Sequence, residues 1–170
     1  MKDRQGTKRV NRGNAINMYR KARWCYLHHL EPLAWLFRSW IYLVHNSFIP
    51  YKAEIGDGTV CGYKGIAIII HSEAQIDVDC QIGSCVTIGG GAGGSNKAIK
   101  EFDSKRRKVP VIGDRVHIST GAKVLGSIVI GDDVIIGANA VVINDVPDRA
   151  VVVGVPARVI RIRTEEEVNQ

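Results

Sequence analysis

"PVIGDRVHISTGAKVLGSIVIGDDVIIGANAVVINDVP", residues 110–147, counts in sixes. Ile112, Ile118, Val124, Ile130, Ile136 and Val142 follow one another at that spacing, and upstream Ile70, Ile76, Ile82 and Ile88 keep it. A helix turns through about 600° over six residues, which carries such a stripe off any single face. Strand alternation selects every second residue and would not single out every sixth. A coil of three short flat strands satisfies the spacing, with six residues to a side and one aliphatic side chain per side turned inward. The position four after each anchor is also small or apolar (Cys80, Val86, Val116, Ala122, Ile128, Val134, Ala140, Val146), so each turn has two inward layers. Gly follows Ile55, Ile82, Ile88, Ile112, Ile130 and Ile136, where it is expected to give a corner freedom at φ. One coil cannot bury its own face, so the coils must stack. Cys80 is then a wall residue, and Asp-rich corners such as Asp132–Asp133 are expected to be solvated turns.

Two interruptions break the count. Ile55 and Cys61 form a set three residues out of phase with Ile70. The second is "GGGAGGSNKAIKEFDSKRRKVP", residues 89–110. An excursion of that length in so economical a repeat is expected to be a protruding loop, either functional or a solvated insertion. Its first half is Gly-rich, and its second carries Lys105, Arg106, Arg107 and Lys108, which suit an anionic ligand.

The 170 residues allow one domain and an appendage. A mean hydropathy of −0.01 argues against a polytopic membrane protein. The net charge of +6 is local: residues 1–23 hold Lys2, Arg4, Lys8, Arg9, Arg12, Arg20, Lys21 and Arg23 against Asp3. The high pI therefore describes a basic arm, and no nucleic-acid module is present to make it a nucleic-acid protein. Cys25, Cys61, Cys80 and Cys85 show neither CxxC pairing nor metal-ligand spacing, so free thiols in the cytoplasm and no metal are expected. Residues 1–13 read as a disordered basic arm and 14–48 as a helical segment divided near Pro32. Residues 49–160 form the main domain, and 161–170 a tail. The apolar run from Leu33 to Ile49 reads as a packing helix covering one end of that domain, with Trp24, Trp35, Trp40 and Tyr42 in the core. The same aromatics joined to the basic arm also suit peripheral contact of residues 1–48 with the inner face of a membrane. His28, His29 and His45 have no expected chemistry.

"CQIGSCVTIGGG", the 110–147 repeat and "AVVVGVPARVI" closely resemble the serine acetyltransferase group of hexapeptide-repeat acyltransferases. The resemblance implies an all-β main domain wound as a left-handed parallel β-helix, a homotrimer with sites between neighbours, and acetyl-CoA as donor. Carried over by position, it places the coenzyme along Gly90, Gly91, Thr120, Gly121 and Ala138, with Lys123 and Arg158 towards its phosphates. "ISTGA" stands where the group has "IGAGA". The group's Asp-His pair in "DHATG" is matched by "CGYKG", residues 61–65, without a histidine. "RRKVP" lacks the later histidine, and Phe48 stands where an acid is expected.

A shorter branch associated with surface-polysaccharide functions has a "GYGG"-like turn followed by "VIH", which "GYKGIAIIIH" fits. That likeness makes His71 the candidate base, an imidazole near neutrality being suited to take a hydroxyl proton. A strand-end histidine can instead simply hydrogen-bond main chain. Glu73 and Asp77 are candidates to orient His71, Tyr63 to touch the acceptor, and His117 is a lesser candidate base. The expected acceptor is a sugar hydroxyl of a surface-polysaccharide precursor, favoured by the short helical region and the "TEEEVNQ" tail; serine is the alternative. A metal enzyme like the γ-class carbonic anhydrases would need three converging histidines, and a non-catalytic scaffold is the remaining reading.

Overall fold

The computed structural model describes residues 14–90 and 109–168. The expectations for the basic arm 1–13, for Gly91 and the basic run of the excursion, and for the last two residues lie outside the described residues. Two helices come first, α1 (Ala15–Leu27) and α2 (Glu31–His45). A first coil follows, of β1 (Glu54–Ile55), β2 (Val60–Cys61) and β3 (Ile69–Ile70). The second coil is β4 (Gln75–Ile76), β5 (Gln81–Ile82) and β6 (Thr87–Gly89). The third is β7 (Val111–Ile112), β8 (His117–Ile118) and β9 (Lys123–Leu125). The fourth is β10 (Val129–Ile130), β11 (Ile135–Ile136) and β12 (Val141–Val142). The chain closes with β13 (Ala150–Gly154), β14 (Ala157–Ile162) and the short α3 (Glu165–Val168).

Equivalent strands stack as three faces. The first is β1-β4-β7-β10, the second β2-β5-β8-β11-β13-β14 and the third β3-β6-β9-β12. All pairs are parallel except β13 with β14. The register explains the count. Val111 pairs with Val129, 18 residues on, which is three sides of six. Glu54 pairs with Gln75, 21 residues on, so the three extra residues between Cys61 and Ile70 are absorbed within one turn. Across the excursion the step is 36, from Gln75 to Val111. The anchors are the core: Ile70, Ile76, Ile82, Ile88, Ile112, Ile118, Ile130 and Ile136 are buried, as is Cys80.

The glycines after the anchors have a different cause from the one expected. Those at 56, 83, 89, 113, 131 and 137 do not adopt positive φ. A Cβ on Gly83 would instead lie 2.5 Å from Thr120 N, and one on Gly56 2.6 Å from the Asp77 carbonyl carbon. Close approach of consecutive corners excludes the side chain at these two, whereas a Cβ on Gly89 would meet only Leu125 Cδ2, at 3.8 Å, among the described residues. The left-handed residue sits three places after the anchor: Asp79 (φ 56), Cys85 (φ 58), Arg115 (φ 54), Asp133 (φ 57) and Asn139 (φ 57). Such a conformation costs a non-Gly residue about 1–2 kcal/mol. It aims the backbone N–H along the stack, so that Arg115 N donates to Val78 O at 2.9 Å, Asp133 N to Asp114 O at 2.9 Å and Asn139 N to Thr120 O at 3.0 Å.

The Asp-rich corners are likewise more than solvated turns. Asp114 Oδ1 accepts from Val78 N (3.1 Å), Asp132 Oδ1 from Asp114 N (2.8 Å) and Asp148 Oδ1 from Asp132 N (2.9 Å). One carboxylate per coil thus satisfies an N–H of the preceding coil, forming a ladder along the corner between the first and second faces.

The three-residue surplus forms the turn Gly62–Gly65, where Tyr63, Lys64, Gly65 and then Ala67 all have positive φ. Ser47 fixes it from inside: its Oγ donates to Gly65 O (2.6 Å) and accepts from Ile68 N (2.9 Å). α1 closes that end of the coil. Tyr19, fully buried, donates its hydroxyl to Ala53 O (2.6 Å) and accepts from Ile55 N (3.2 Å), and Asn14 Nδ2 donates to Cys61 O (2.8 Å). Phe48 pairs with Ile69 alongside β3.

α2 does not do the packing expected of it. Ala34, Ile41 and His45 are its buried residues, while Trp24, Trp35, Trp40 and Tyr42 are exposed and do not belong to the core. α1, through Ala15, Ile16, Tyr19, Ala22 and Cys25, is the packing helix. No described helix is long and apolar enough to cross a membrane.

Candidate active site

Three corners run the length of the coil, and the candidate residues divide among them. The corner between the second and third faces carries residues two places after each anchor, Ser84 after Ile82, Thr120 after Ile118 and Ala138 after Ile136. Gly121 N donates to Ser84 O (2.9 Å) and Asn139 N to Thr120 O, which stacks them in one column. Ser84 Oγ and Thr120 Oγ1 lie 3.4 Å apart. Tyr63 projects from the same corner one coil earlier, three-quarters exposed. Thr120 and Ala138 are exposed, so the edge is a strip of small side chains and backbone. Ser84 was not singled out from the sequence, although its place two after an anchor is the same signal that marks Thr120 and Ala138.

Lys123 reaches back over this corner. Its Nζ donates to Cys85 O (2.8 Å) and Gly121 O (2.9 Å), so the ammonium is engaged with carbonyls in addition to any ligand. Cys85 is the exposed cysteine of the four. Arg158, on β14 at the far end of the second face, is exposed and donates to Ala157 O (3.0 Å).

The corner between the third and first faces carries His71, Glu73 and Gly90. His71 follows β3, its N–H donating to Ile88 O (2.8 Å), and its ring is exposed. Glu73 meets His71 through its backbone: the Glu73 N–H donates to His71 Nδ1 (3.2 Å). With Nδ1 accepting, the neutral ring carries its proton on Nε2 and presents a donor outward. Main-chain tethering of the strand-end histidine is therefore present. Asp77 does not stand beside His71. It lies past β4 on the corner between the first and second faces, where burial first, and then the charges of Asp114 and Asp132, raise its carboxyl above the ordinary range.

His117 has the opposite arrangement. On β8 it faces outward with Nδ1 3.2 Å from Gln81 Oε1, an acceptor, so Nδ1 carries the proton and Nε2 is left as the acceptor. No group of three or more His, Cys, Asp or Glu that could hold a metal occurs among the described residues. The thiols of Cys61 and Cys80 are pushed up, by burial in each case, to about 12 and about 11, which removes both as nucleophiles.

The one chain therefore brings Tyr63, Thr120, Gly121, Lys123 and Ala138 to one edge of the third face, and His71, Glu73 and Gly90 to its other edge. Comparison with known proteins adds to this geometry. Residues 110–144 match the family described as bacterial transferase hexapeptide (six repeats). The serine acetyltransferase of Bacillus subtilis is 47% identical over 114 residues, covering 63% of this chain and 47% of that protein. The chain is a hexapeptide-repeat homologue of the serine acetyltransferases.

Among solved structures, a serine acetyltransferase in complex with CoA superposes with a TM-score of 0.71 at 32% identity, over 86% of this chain and 55% of that one. The Neisseria gonorrhoeae serine acetyltransferase in complex with serine gives 0.73 at 30% identity, over 86% and 55%. The homologue spans about half the length of the curated relatives it matches. These findings overturn the sugar acceptor and the surface-polysaccharide branch expected from the short helical region and the tail: the relatives and structures compared are serine acetyltransferases.

Proposed function

We propose that this protein is an acetyl-CoA-dependent serine O-acetyltransferase. The observation that carries the reading is the coil it shares with serine acetyltransferases, at about 30% identity over 86% of the chain. The coil is wound left-handed, residues 49–160 form the catalytic domain, and three copies associate so that the His71 edge of one faces the Thr120 edge of the next. That pairing joins two half-sites which a single chain keeps on opposite margins of its third face. The protein works in the cytoplasm, where its donor is made.

The thioester lies along Ser84, Thr120, Gly121 and Ala138, where the absence of large side chains brings pantetheine against backbone. Gly90 borders it, and Arg158 meets the phosphate end, with Lys123 contributing field. The serine hydroxyl loses its proton to His71 as its oxygen attacks the acetyl carbonyl. The tetrahedral oxyanion is met by corner N–H groups, and collapse expels the coenzyme thiolate. Tyr63 contacts the acceptor. For His71 to act, the Glu73 amide must release Nδ1; a solvent-exposed bond of this kind is worth about 1 kcal/mol, a factor of about five. Asp77 has no part in it.

A second reading of the base is favoured by the free Nε2 of His117. The test follows coenzyme thiol release from acetyl-CoA with L-serine, comparing wild type, His71→Ala and His117→Ala. The reading expects serine-dependent release, a loss of about 10²-fold or more in His71→Ala, and near-normal rates in His117→Ala. The reverse order assigns the base to His117, and no release with serine refutes the function.

A further inference from the structure

α2 is apolar on the side that faces away from the protein. Its buried stripe is narrow, Ala34, Ile41 and His45. Leu33, Leu36, Trp40, Leu43 and Val44 recur at helical spacing on the opposite side and are exposed, Leu43 by 80%. Trp24, Leu27 and Leu30 extend that surface onto α1 and the connecting turn, and a groove between the helices is lined by Lys21, Trp24, Leu33 and Phe37. A helix apolar on nearly all sides is one that is covered. A contiguous patch of this kind is larger than the scattered apolar residues of an ordinary surface.

Length and charge decide what covers it. At 15 residues α2 is about 22 Å long, against a hydrocarbon core of about 30 Å, so it fits in the plane of a bilayer surface and not across one. All three tryptophans of the chain lie here, with Tyr42, the side chains that settle at the lipid headgroup level. The chain N-terminal to α1 carries Lys2, Arg4, Lys8, Arg9 and Arg12 against Asp3, a net +4. Asn14, which caps α1, is bonded to Cys61, and the end of α2 is tied to the adjoining turn by the Ala67 N–H to His45 O bond, so residue 14, which the basic sequence precedes, and the end of α2 lie at the same end of the hairpin. A second copy docked on this face would bring two such segments together and they would repel. An anionic lipid surface attracts them.

We propose that the α1–α2 hairpin docks on anionic membranes, with the Leu33, Leu36, Trp40, Leu43 and Val44 face set into the headgroup region and the basic N-terminal segment neutralised by lipid charge. The test is sedimentation of the full chain with vesicles of equimolar phosphatidylcholine and phosphatidylglycerol, alongside its tryptophan emission. Because Trp24, Trp35 and Trp40 all report from the hairpin, binding is expected to shift emission to the blue, and brominated lipid to quench it.

The partition coefficient should fall at least tenfold in pure phosphatidylcholine, in 0.5 M NaCl, and in Lys8→Gln/Arg9→Gln/Arg12→Gln. Leu36→Glu/Leu43→Glu alters exposed positions and should abolish binding while leaving the far-ultraviolet circular dichroism unchanged. Failure of the wild type to bind these vesicles, or full binding by the Leu36/Leu43 variant, overturns the proposal. So does a wild type that stays off vesicles and shows by light scattering an assembly which the Leu36/Leu43 variant halves. That outcome would assign the face to a second copy.

Discussion

Gly83 and Gly89 both follow an inward isoleucine and look alike in the sequence, yet alanine should act oppositely at the two. At Gly83 a methyl would lie 2.5 Å from Thr120 N, 2.8 Å from Ser119 C and 2.9 Å from Thr120 Cα, where ordinary contact begins near 3.4 Å. All three are backbone atoms of the next coil, so nothing swings aside and the corner must lift. Lifting stretches the Gly83 N–H to Ile118 O bond, now 2.7 Å. Overpacking of this kind costs about 1–3 kcal/mol and the weakened bond about 1 more, so Gly83→Ala should lose about 2–4 kcal/mol. At Gly89 the nearest atom among the described residues is the flexible Leu125 Cδ2 at 3.8 Å, and φ is not positive. Gly89→Ala should therefore be neutral or gain up to about 1 kcal/mol through the unfolded chain. In urea titrations followed by circular dichroism, with a slope of about 2 kcal/mol/M, the midpoints should differ by about 1–2.5 M. Equal midpoints would refute the claim that coil-to-coil approach dictates the glycine at 83.

Three further outcomes are expected. In the native protein one thiol, Cys85, should react with a disulfide reagent at pH 8 and four after denaturation, since Cys25, Cys61 and Cys80 are buried; two or more fast native thiols would contradict this. Tyr19→Phe should cost about 1–3 kcal/mol, measured in the same urea titration, because Ile55 N loses its buried partner while Ala53 O keeps only Arg23 Nη1, at 3.0 Å. Arg115 binds Asp133 through two bonds of 2.8 and 2.7 Å, and that hydrogen bonding, ahead of the opposing burial, holds the Asp133 carboxyl below its ordinary 3.8. A depressed carboxyl stabilises the fold above its unfolded value and loses that contribution as pH falls through its folded one. Arg115→Ala should thus flatten the loss of stability below about pH 4, by no more than about 1 kcal/mol because the arginine is half-exposed and screened by solvent. An unchanged acid limb would show the pair to be inert.

The hexads were legible because an inward side chain every six residues has one geometric solution. What the corners do was less so. The left-handed positions hold Asp79, Cys85, Arg115 and Asn139, residues with nothing in common except an N–H that must point along the stack. The aromatic segment misled for a related reason: Trp35 and Trp40 have helical spacing whether a helix faces protein or solvent, and only the narrow Ala34–Ile41–His45 stripe decides. Within the candidate site, the positional rule that marked Thr120 and Ala138 reaches Ser84 as well. The tautomer of His71 depends on an amide two residues away, which no spacing reveals. The acceptor was misjudged because the short helical region and the tail say little about chemistry carried on the coil.

Each of the first three strands is met on its outer side by something other than another strand: Tyr19 at β1, Asn14 at β2 and Phe48 at β3. At the far end β14 turns back against β13. A ladder of parallel rungs has no last rung of its own, and an open one recruits whatever extended chain drifts past. The terminators are thus what make this a particle of fixed height and not the seed of a filament, and a lesion at Tyr19 or Asn14 would release growth as well as weaken the fold.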